Sequence, residues 1–218
     1  IKHGLSVLRK FNARRILVLP LYPQYSATTT ASIFDEITEQ LRNWRWLPEM
    51  RFINSYADDP DYIRALADSV REHRAKHGQG EKLLFSFHGI PQDYVDKGDP
   101  YASECMKTIH ALTQELEMDD RQWINSFQSR LGPTQWLQPY TDETVKKLAK
   151  EGVESVDVIC PGFSVDCLET IEEIGMENKE YFIEEGGKQF NYIPALNDAP
   201  AHIEMMKNLV LRHTQGWD

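Results

Sequence analysis

Short apolar runs separated by amphipathic stretches make up most of this chain. Six runs rich in Val, Ile, Leu or aromatic residues predict β-strands. They cover residues 14–22, 50–56, 82–88, 123–128, 156–160 and 190–194. Apolar residues at helical spacing predict helices over residues 1–11, 30–43, 60–77, 102–116, 141–151, 166–178 and 199–212. Strands that alternate with helices predict an α/β fold with parallel sheets and right-handed crossovers.

A short glycine-containing segment, Gly78-Gln79-Gly80, predicts a linker between two α/β halves. We expect residues 1–78 to form what remains of the first half and residues 79–195 to form the second. Residues 196–218 are expected to supply a C-terminal helix that packs back across both. The chain begins at Ile1, without Met and inside a predicted helix, so we expect a fragment with a truncated first half.

Composition narrows the classes of function. Lys and Arg number 24 against 34 Asp and Glu, and this net charge of −10 argues against nucleic-acid binding. No apolar run approaches the roughly 18 residues of a membrane-spanning helix, and no signal peptide is recognisable. Three cysteines without a CxxC pair favour reduced thiols over disulfides or a zinc site. We therefore expect a cytoplasmic protein.

Two histidines on the third predicted helix, His73 and His77, share one face of that helix. This spacing can bind a metal, but basic residues surround the pair and no third ligand is near in sequence. A solvated basic face is the better interpretation.

Two predicted strand ends deliver polar groups suited to chemistry. The strand over residues 82–88 ends in His88, and the strand over residues 156–160 is followed by a Pro-Gly turn and then by Glu169. The carboxyl ends of parallel strands line the ligand crevice of open α/β sheets, so we expect His88 and Glu169 in one site. The alternative is a strand-end histidine bonded to a backbone carbonyl.

Glu172 and Glu173 follow Glu169 on the same predicted helix. Imidazole accepts a proton or binds a transition metal, and neighbouring carboxylates repel, which should raise the pKa of at least one of them. Such a group is suited to taking and passing protons. An acidic helix N-terminus stabilised by the helix dipole is the alternative.

Other strand-end loops carry aromatic and hydroxyl groups. Tyr22, Trp136 and Phe163 could wall a flat aromatic ligand, or they could belong to ordinary packing. The hydroxyl-rich loop over residues 24–30 could hold an anion at the start of the next helix, or simply cap that helix.

Four motifs, in compatible order and spacing, resemble the ferrochelatases, and the resemblance covers essentially the whole chain. They are residues 21–26 (LYPQYS), 86–91 (SFHGIP), 129–137 (SRLGPTQWL) and 162–170 (GFSVDCLET). The resemblance implies a chelatase-like fold of two Rossmann-like halves with a cleft between them. It also implies insertion of Fe(II) into protoporphyrin IX to give protohaem, with release of two protons.

The resemblance further implies roles for single residues. His88 matches the family's active-site histidine and Glu169 its active-site glutamate, implied to be catalytic and to contact the metal. Glu173, with Glu172 beside it, matches an acidic position often assigned to proton removal or metal passage. The positions implied to belong to the porphyrin pocket or its border are Tyr22, Trp136 and Phe163.

The implied partners are a porphyrin and ferrous iron, with iron as substrate and no prosthetic group. Ala27 stands where cluster-bearing animal relatives have Cys, and the tail ending at Asp218 has no cysteine, so no iron–sulfur cluster of that type is expected. Cys167 stands where many relatives have His. Peripheral contact with a membrane is compatible with a sparingly soluble porphyrin, and the oligomeric state is open. The alternatives are a chelatase for coproporphyrin or a cobalt-type tetrapyrrole, and a non-catalytic tetrapyrrole-binding module.

Overall fold

A computed structural model describes residues 1–217 and confirms the predicted alternation of strands and helices. The strands are β1 (Arg15–Val18), β2 (Glu49–Phe52), β3 (Lys82–His88), β4 (Trp123–Gln128), β5 (Ser155–Ile159) and β6 (Gln189–Ile193). The helices are α1 (Lys2–Lys10), α2 (Ser32–Leu41), α3 (Pro60–His77), α4 (Gln92–Asp96), α5 (Tyr101–Glu115), α6 (Thr141–Lys150), α7 (Leu168–Ile171), α8 (Lys179–Glu184) and α9 (Pro200–His213). Two π-helical segments, Ala27–Ala31 and Glu173–Asn178, precede α2 and α8. Over the described residues, no helix is both long and apolar enough to cross a membrane.

The strands form two parallel sheets. β1 pairs with β2, and the second sheet has the order β4-β3-β5-β6. In the second sheet His88 lies opposite Gln128, and Phe85 lies opposite both Asn125 and Ile159. Because every pair is parallel, the carboxyl ends of the strands in each sheet meet at one edge. The arrangement confirms the α/β fold, whereas the domain boundaries near residues 78 and 195 stay a prediction.

The core of the second sheet explains why β3 is rigid. Leu83, Phe85 and Phe87 pack among buried side chains of α3 and α5, while Leu84 packs on the other face with α6 and α8. All four of these β3 side chains are 0% exposed. Burial of each is worth about 1.5–3 kcal/mol. A strand covered on both faces reads as a continuous apolar run, which is how β3 is visible in the sequence.

Local signals place α3 where it was predicted. Asp59 accepts hydrogen bonds from the N–H of Asp61 at 3.0 Å and caps the helix, and Pro60 occupies its first position. The helix ends at Gly78, whose φ of +85° favours glycine.

Several predicted boundaries were wrong. β1 ends at Val18 rather than at residue 22, because Pro20 and Pro23 have no N–H to donate to a ladder. Residues 92–96 form α4, a short helix that is not among the predicted elements.

The helix predicted over residues 166–178 is not continuous. α7 starts only at Leu168, because Cys167 is extended with φ −145° and the Asp166 side chain bonds outside the helix. The chain turns π-helical at Glu173, after a single turn of α-helix.

The C-terminal residues contact the first half of the chain. α9 packs against α3, and the Arg212 guanidinium donates a hydrogen bond to Asp59. Arg51 of β2 donates to the backbone oxygens of His213 and Gln215, each at 2.8 Å. The expectation that the C-terminal helix packs back across both halves stays a prediction.

Candidate functional site

One cavity of about 770 Å³ lies where the loops after β1, β3, β4 and β5 meet. Loops from both sheets contribute to its walls, so it lies at the carboxyl ends of strands as expected for an open α/β sheet. His88, Glu169, Tyr22, Trp136 and Phe163 all line it. The structure therefore brings together five of the seven residues proposed from the sequence.

His88 is half-buried at the end of β3. Its Nδ1 lies 2.7 Å from the carbonyl oxygen of Gly89. A carbonyl oxygen only accepts, so Nδ1 carries the hydrogen and Nε2 of the neutral ring keeps its lone pair. The carbonyl bond that was considered as an alternative is present, and it fixes the tautomer without removing the side chain from the cavity.

The rings of Trp136, in the loop after β4, and of Phe163, in the loop after β5, lie beside His88. Each ring centroid is 6.4 Å from that of His88, with interplanar angles of 51° and 45°. The three rings belong to three different strand-end loops. Together they supply flat apolar surface next to one basic nitrogen.

Backbone hydrogen bonds hold the Trp136 loop against the segment after His88. Leu137 N donates to Ile90 O at 2.9 Å, and Gln92 N donates to Gln135 O at 2.9 Å. Gly89 permits this approach: a Cβ there would lie 3.1 Å from the carbonyl oxygen of Gln128 and 3.2 Å from Trp136 Cε3. A glycine is required by this close packing.

Glu169 lies in α7 on the same cavity. Its Oε2 accepts a hydrogen bond from Cys167 Sγ at 2.8 Å. That bond is the main reason why the pKa of Glu169 is lowered, and His88, when its ring is protonated, lowers it further. Repulsion between neighbouring carboxylates does not raise the pKa of Glu169, because hydrogen bonds to its ionised form prevail.

Asp166 fixes the start of α7. Its carboxylate accepts hydrogen bonds from Tyr192 Oη at 2.5 Å, Asn197 Nδ2 at 2.8 Å and Thr170 Oγ1 at 3.0 Å. Burial alone would raise the pKa of Asp166, but these bonds and one from the Ala195 N–H lower it. The carboxylate therefore ties the Glu169 segment to the chain after β6.

Glu172 and Glu173 are not among the residues lining the cavity. Glu173 is half-buried and accepts hydrogen bonds from Ser129, from the N–H at 2.7 Å and from Oγ at 2.5 Å. Glu172 is exposed. The two side chains lie behind the Glu169 wall, between the end of β4 and solvent.

The hydroxyl-rich loop caps a helix and does not present an open anion site. Ser26 Oγ accepts from Thr28 N at 3.1 Å, and Asp99 Oδ2 accepts from Ala27 N at 2.8 Å and from Ser26 Oγ at 2.9 Å. The N–H groups at this helix start are thus already bonded, and the Asp99 charge would repel an anion.

The two helix α3 histidines lie away from the cavity lining. Their ring centroids are 4.5 Å apart, His77 is exposed, and burial lowers the pKa of His73, followed by repulsion from His77. Among residues 1–217, no group of three or more His, Cys, Asp or Glu side chains is placed to hold a metal. The interpretation of His73 and His77 as part of a solvated basic face stays a prediction.

Sequence reasoning missed two positions at the site. Gln128 bonds the main chain of Glu169, and Asp166 anchors the same segment. Both lie beside or inside motifs singled out in the sequence, but only their long-range hydrogen bonds reveal what they do.

The fold and the cavity define the class of protein. SirB from Bacillus subtilis with Fe3+ aligns with a TM-score of 0.70, covering 99% of this chain and 77% of that chain at 16% identity. CbiX, described as the terminal enzyme for biosynthesis of siroheme in denitrifying bacteria, aligns with a TM-score of 0.59, covering 90% and 74% at 14% identity. At these identities the likeness establishes the fold alone. That fold is the chelatase-like α/β fold.

Sequence comparison establishes the family. A sequence model of the ferrochelatases matches residues 1–214. The ferrochelatase of Thioalkalivibrio sulfidiphilus (strain HL-EbGR7) is 54% identical over 217 residues, which is 100% of this chain and 59% of the relative. That of Hydrogenovibrio crunogenus (strain DSM 25203 / XCL-2) is 50% identical over 217 residues, 100% of this chain and 57% of the relative. The chain belongs to the ferrochelatase family, and it spans less than two thirds of the length of these curated relatives.

Proposed function

We propose that this protein inserts Fe(II) into protoporphyrin IX to give protohaem, releasing two protons. The observation that carries the proposal is one cavity that His88 and Glu169 line together with Trp136 and Phe163, whose rings lie beside His88. The cavity of about 770 Å³ falls within the usual range for small-molecule sites, about 300–1,000 Å³. Membership of the ferrochelatase family supports the same activity.

The chemistry of insertion fits the protonation of the two polar groups. A free-base porphyrin loses two N–H protons when it takes up a divalent metal, so a base is needed. The pKa of Glu169 is lowered, so that this carboxyl is ionised near neutral pH, and the Nδ1 bond to Gly89 O leaves His88 Nε2 as the ring nitrogen that can accept a proton. Unprotonated imidazole and carboxylate are also suitable iron ligands. The His88 imidazole and the Glu169 carboxylate can therefore act both as proton acceptors and as metal contacts.

The aromatic groups complete the site. We place the flat macrocycle against Phe163, Trp136 and Tyr22, because apolar rings gain most by burying a large flat ligand. His88 lies beside two of these rings, and we place it facing the centre of a macrocycle that lies against them.

The proposal assigns Glu173 and Glu172 to a path for protons or metal. Glu169, Glu173 and Glu172 pass in that order from the cavity wall to a half-buried position and then to an exposed one. A carboxylate series that ends in solvent suits the removal of protons from a closed site.

The test is substitution of the imidazole in the full-length protein. His88→Ala is expected to lower kcat for iron insertion about 100-fold or more, the scale of general acid–base catalysis. The porphyrin Kd, measured by fluorescence quenching, should change less than about threefold, because the apolar walls remain. His110→Ala, at an exposed position of α5, is the matched control and should keep normal turnover.

The outcomes separate the alternatives. Near-normal turnover of His88→Ala contradicts the role of the imidazole. Faster turnover with coproporphyrin than with protoporphyrin IX would contradict the proposed porphyrin, and faster turnover with Co(II) than with Fe(II) would contradict the proposed metal. Tight retention of porphyrin without metal insertion would identify a non-catalytic tetrapyrrole-binding module and overturn the enzyme.

We propose no resident prosthetic group, since iron enters as substrate. Anaerobically purified protein should lack the visible absorption of an iron–sulfur cluster, and such absorption in stoichiometric amount would contradict this part of the proposal.

We also propose that the protein is cytoplasmic and touches an anionic membrane surface with the region formed by residues 1–51. Residues 1–51 hold eight Lys and Arg against four Asp and Glu, although the whole chain has a net charge of −10. Arg14 lies 4.3 Å from the ring centroid of Trp46, which is 48% exposed, and Phe11 is 80% exposed. Basic residues beside exposed aromatic rings suit a layer of anionic headgroups.

Vesicle sedimentation tests this contact. The full-length protein should bind phosphatidylglycerol vesicles more strongly than phosphatidylcholine vesicles, and Arg9→Glu with Arg14→Glu should abolish the difference. Lys179→Glu with Lys188→Glu, at exposed positions of the second half, is the control that should leave binding unchanged. Equal binding to both kinds of vesicle would refute the contact.

A further inference from the structure

Gln128 lies between the two groups proposed to react. It is the last residue of β4 and the register partner of His88 in β3, and it is 3% exposed. Its backbone oxygen accepts a hydrogen bond from Gly89 N at 2.8 Å. Its side-chain Nε2 donates to the backbone oxygen of Glu169 at 2.6 Å. One buried residue therefore bonds both the residue after His88 and the main chain of Glu169.

The contacts fix the orientation of the Gln128 amide. Oε1 accepts hydrogen bonds from Ser86 Oγ at 2.9 Å and Cys160 Sγ at 3.5 Å. Nε2, on the other side, also lies 3.3 Å from Glu173 Oε2. Rotating the amide by half a turn would place its oxygen against a carbonyl oxygen and a carboxylate. The amide therefore has one stable orientation, with its donor directed at the Glu169 segment.

The segment that Gln128 bonds has little apolar packing of its own. α7 is a single turn, and Leu168 and Ile171 are 74% and 52% exposed. Hydrogen bonds hold it instead: Thr170 Oγ1 bonds Asp166 at 3.0 Å on one side, and Gln128 bonds Glu169 on the other. Glu173, at the end of the segment, also accepts hydrogen bonds from Ser129, but Gln128 alone bonds the main chain of Glu169 itself among the described contacts, so its loss would let the turn at Glu169 shift relative to the sheet.

We propose that Gln128 is a positioning residue that sets the separation between His88 and Glu169. The predicted effect of Gln128 on turnover rests on the proposed function, whereas its predicted effect on the position of α7 does not. A displacement of about 1 Å at a reacting group can cost on the order of 100-fold in rate. Partners that orient a metal ligand without touching the metal typically contribute about 10–100-fold.

The first measurement is hydrogen exchange, which needs no activity. Gln128→Met keeps the length of the side chain and removes its donor, so the amides of residues 168–173 should exchange at least about tenfold faster, as expected for local opening. Asn125→Leu is the matched control: it is also an amide in β4, but it lies on the opposite face and bonds Met106 Sδ at 3.4 Å. It should leave exchange in this segment unchanged. Equal exchange in wild type and Gln128→Met overturns the proposal.

The second measurement is turnover of the full-length protein. Gln128→Met should lower kcat for iron insertion about 10–100-fold while the porphyrin Kd stays within about twofold, a split that general loss of packing would not give. Gln128→Glu, which places a carboxylate against Glu169 O and Glu173, should lose at least as much and serves if the Met variant does not fold. A kcat within twofold of wild type for a folded variant overturns the role. A wild-type protein that inserts no metal refutes the proposed function instead, and the exchange result alone then decides the role of Gln128.

Discussion

Removing Arg74 from its buried ion pair tests how the second sheet is held together below the site. Asp157, in β5, is 0% exposed and accepts hydrogen bonds from Arg74 Nε at 2.8 Å, Gly80 N at 3.1 Å and Asn191 Nδ2 at 2.9 Å. The Arg74 side chain is 13% exposed. Arg74→Met keeps most of the aliphatic stem but leaves the carboxylate with two neutral donors.

The magnitude follows from the cost of an uncompensated buried charge. Removing one partner of a buried ion pair costs about 3–5 kcal/mol. Arg74 also buries one Nη2 atom without a hydrogen bond, and the variant relieves that penalty. We therefore expect the lower end, a loss of about 3 kcal/mol in the free energy of unfolding. For a chain of this length that loss lowers Tm by about 6–12 °C.

Urea denaturation and thermal melts measure the loss. Arg71→Met, one turn earlier on α3, is the control, because its ion pairs with Asp68 and Glu115 are about half exposed and should contribute about 0–1 kcal/mol. Adding Asp157→Asn to Arg74→Met should recover part of the stability, since no net charge then stays buried. A loss equal to that of Arg71→Met, or no recovery in the double variant, would refute the reasoning.

Two further predictions concern the site itself. Gly89→Ala should destabilise the protein by about 1–3 kcal/mol by overpacking, since its Cβ would lie 3.1 Å from Gln128 O and 3.2 Å from Trp136 Cε3. The control is Gly4→Ala, whose Cβ would have no other atom within 4 Å. Thermal melts compare the two variants, and equal melting temperatures would contradict the prediction. The pKa of Asp166 is lowered in the folded protein, so its contribution to stability is complete above the ordinary value of 3.8 and is lost as the pH falls through the lower folded pKa. Wild type should therefore lose more unfolding free energy than Asp166→Asn between about pH 5 and pH 2, and parallel urea melts that give the same slope for both would exclude this.

The parts of the fold that could be predicted depend on local patterns. The apolar run over residues 82–88 is visible because both faces of β3 are buried, and a strand end in a parallel sheet then places His88 at the cavity. The same rule, applied to the segment after β5, predicted that Glu169 lies at the same cavity, and it lines that cavity. Helix α3 is predictable because Asp59 and Pro60 mark its start.

The parts that could not be predicted depend on contacts between distant residues. Gln128 and Glu169 are 41 positions apart, and Asp166 bonds partners 26 and 31 positions away. Helical periodicity predicted one helix over residues 166–178, but the side chain of Asp166 draws the chain toward Asn197 and delays the helix start to Leu168. No pattern within a single segment carries that information.

The two reactive groups are supported in different ways, and this has a consequence for where the site tolerates change. His88 ends a strand whose apolar side chains are fully buried on both faces, so its backbone moves only if the core of the second sheet moves. Glu169 lies on one exposed turn that hydrogen bonds hold from two sides. Apolar changes at Leu168, which is 74% exposed, should therefore leave Glu169 in place, whereas loss of a single donor from Gln128 should not. The position of Glu169 therefore depends on hydrogen bonds rather than on apolar packing. For this reason the buried amide of Gln128, at the end of β4, helps to position a carboxylate in α7.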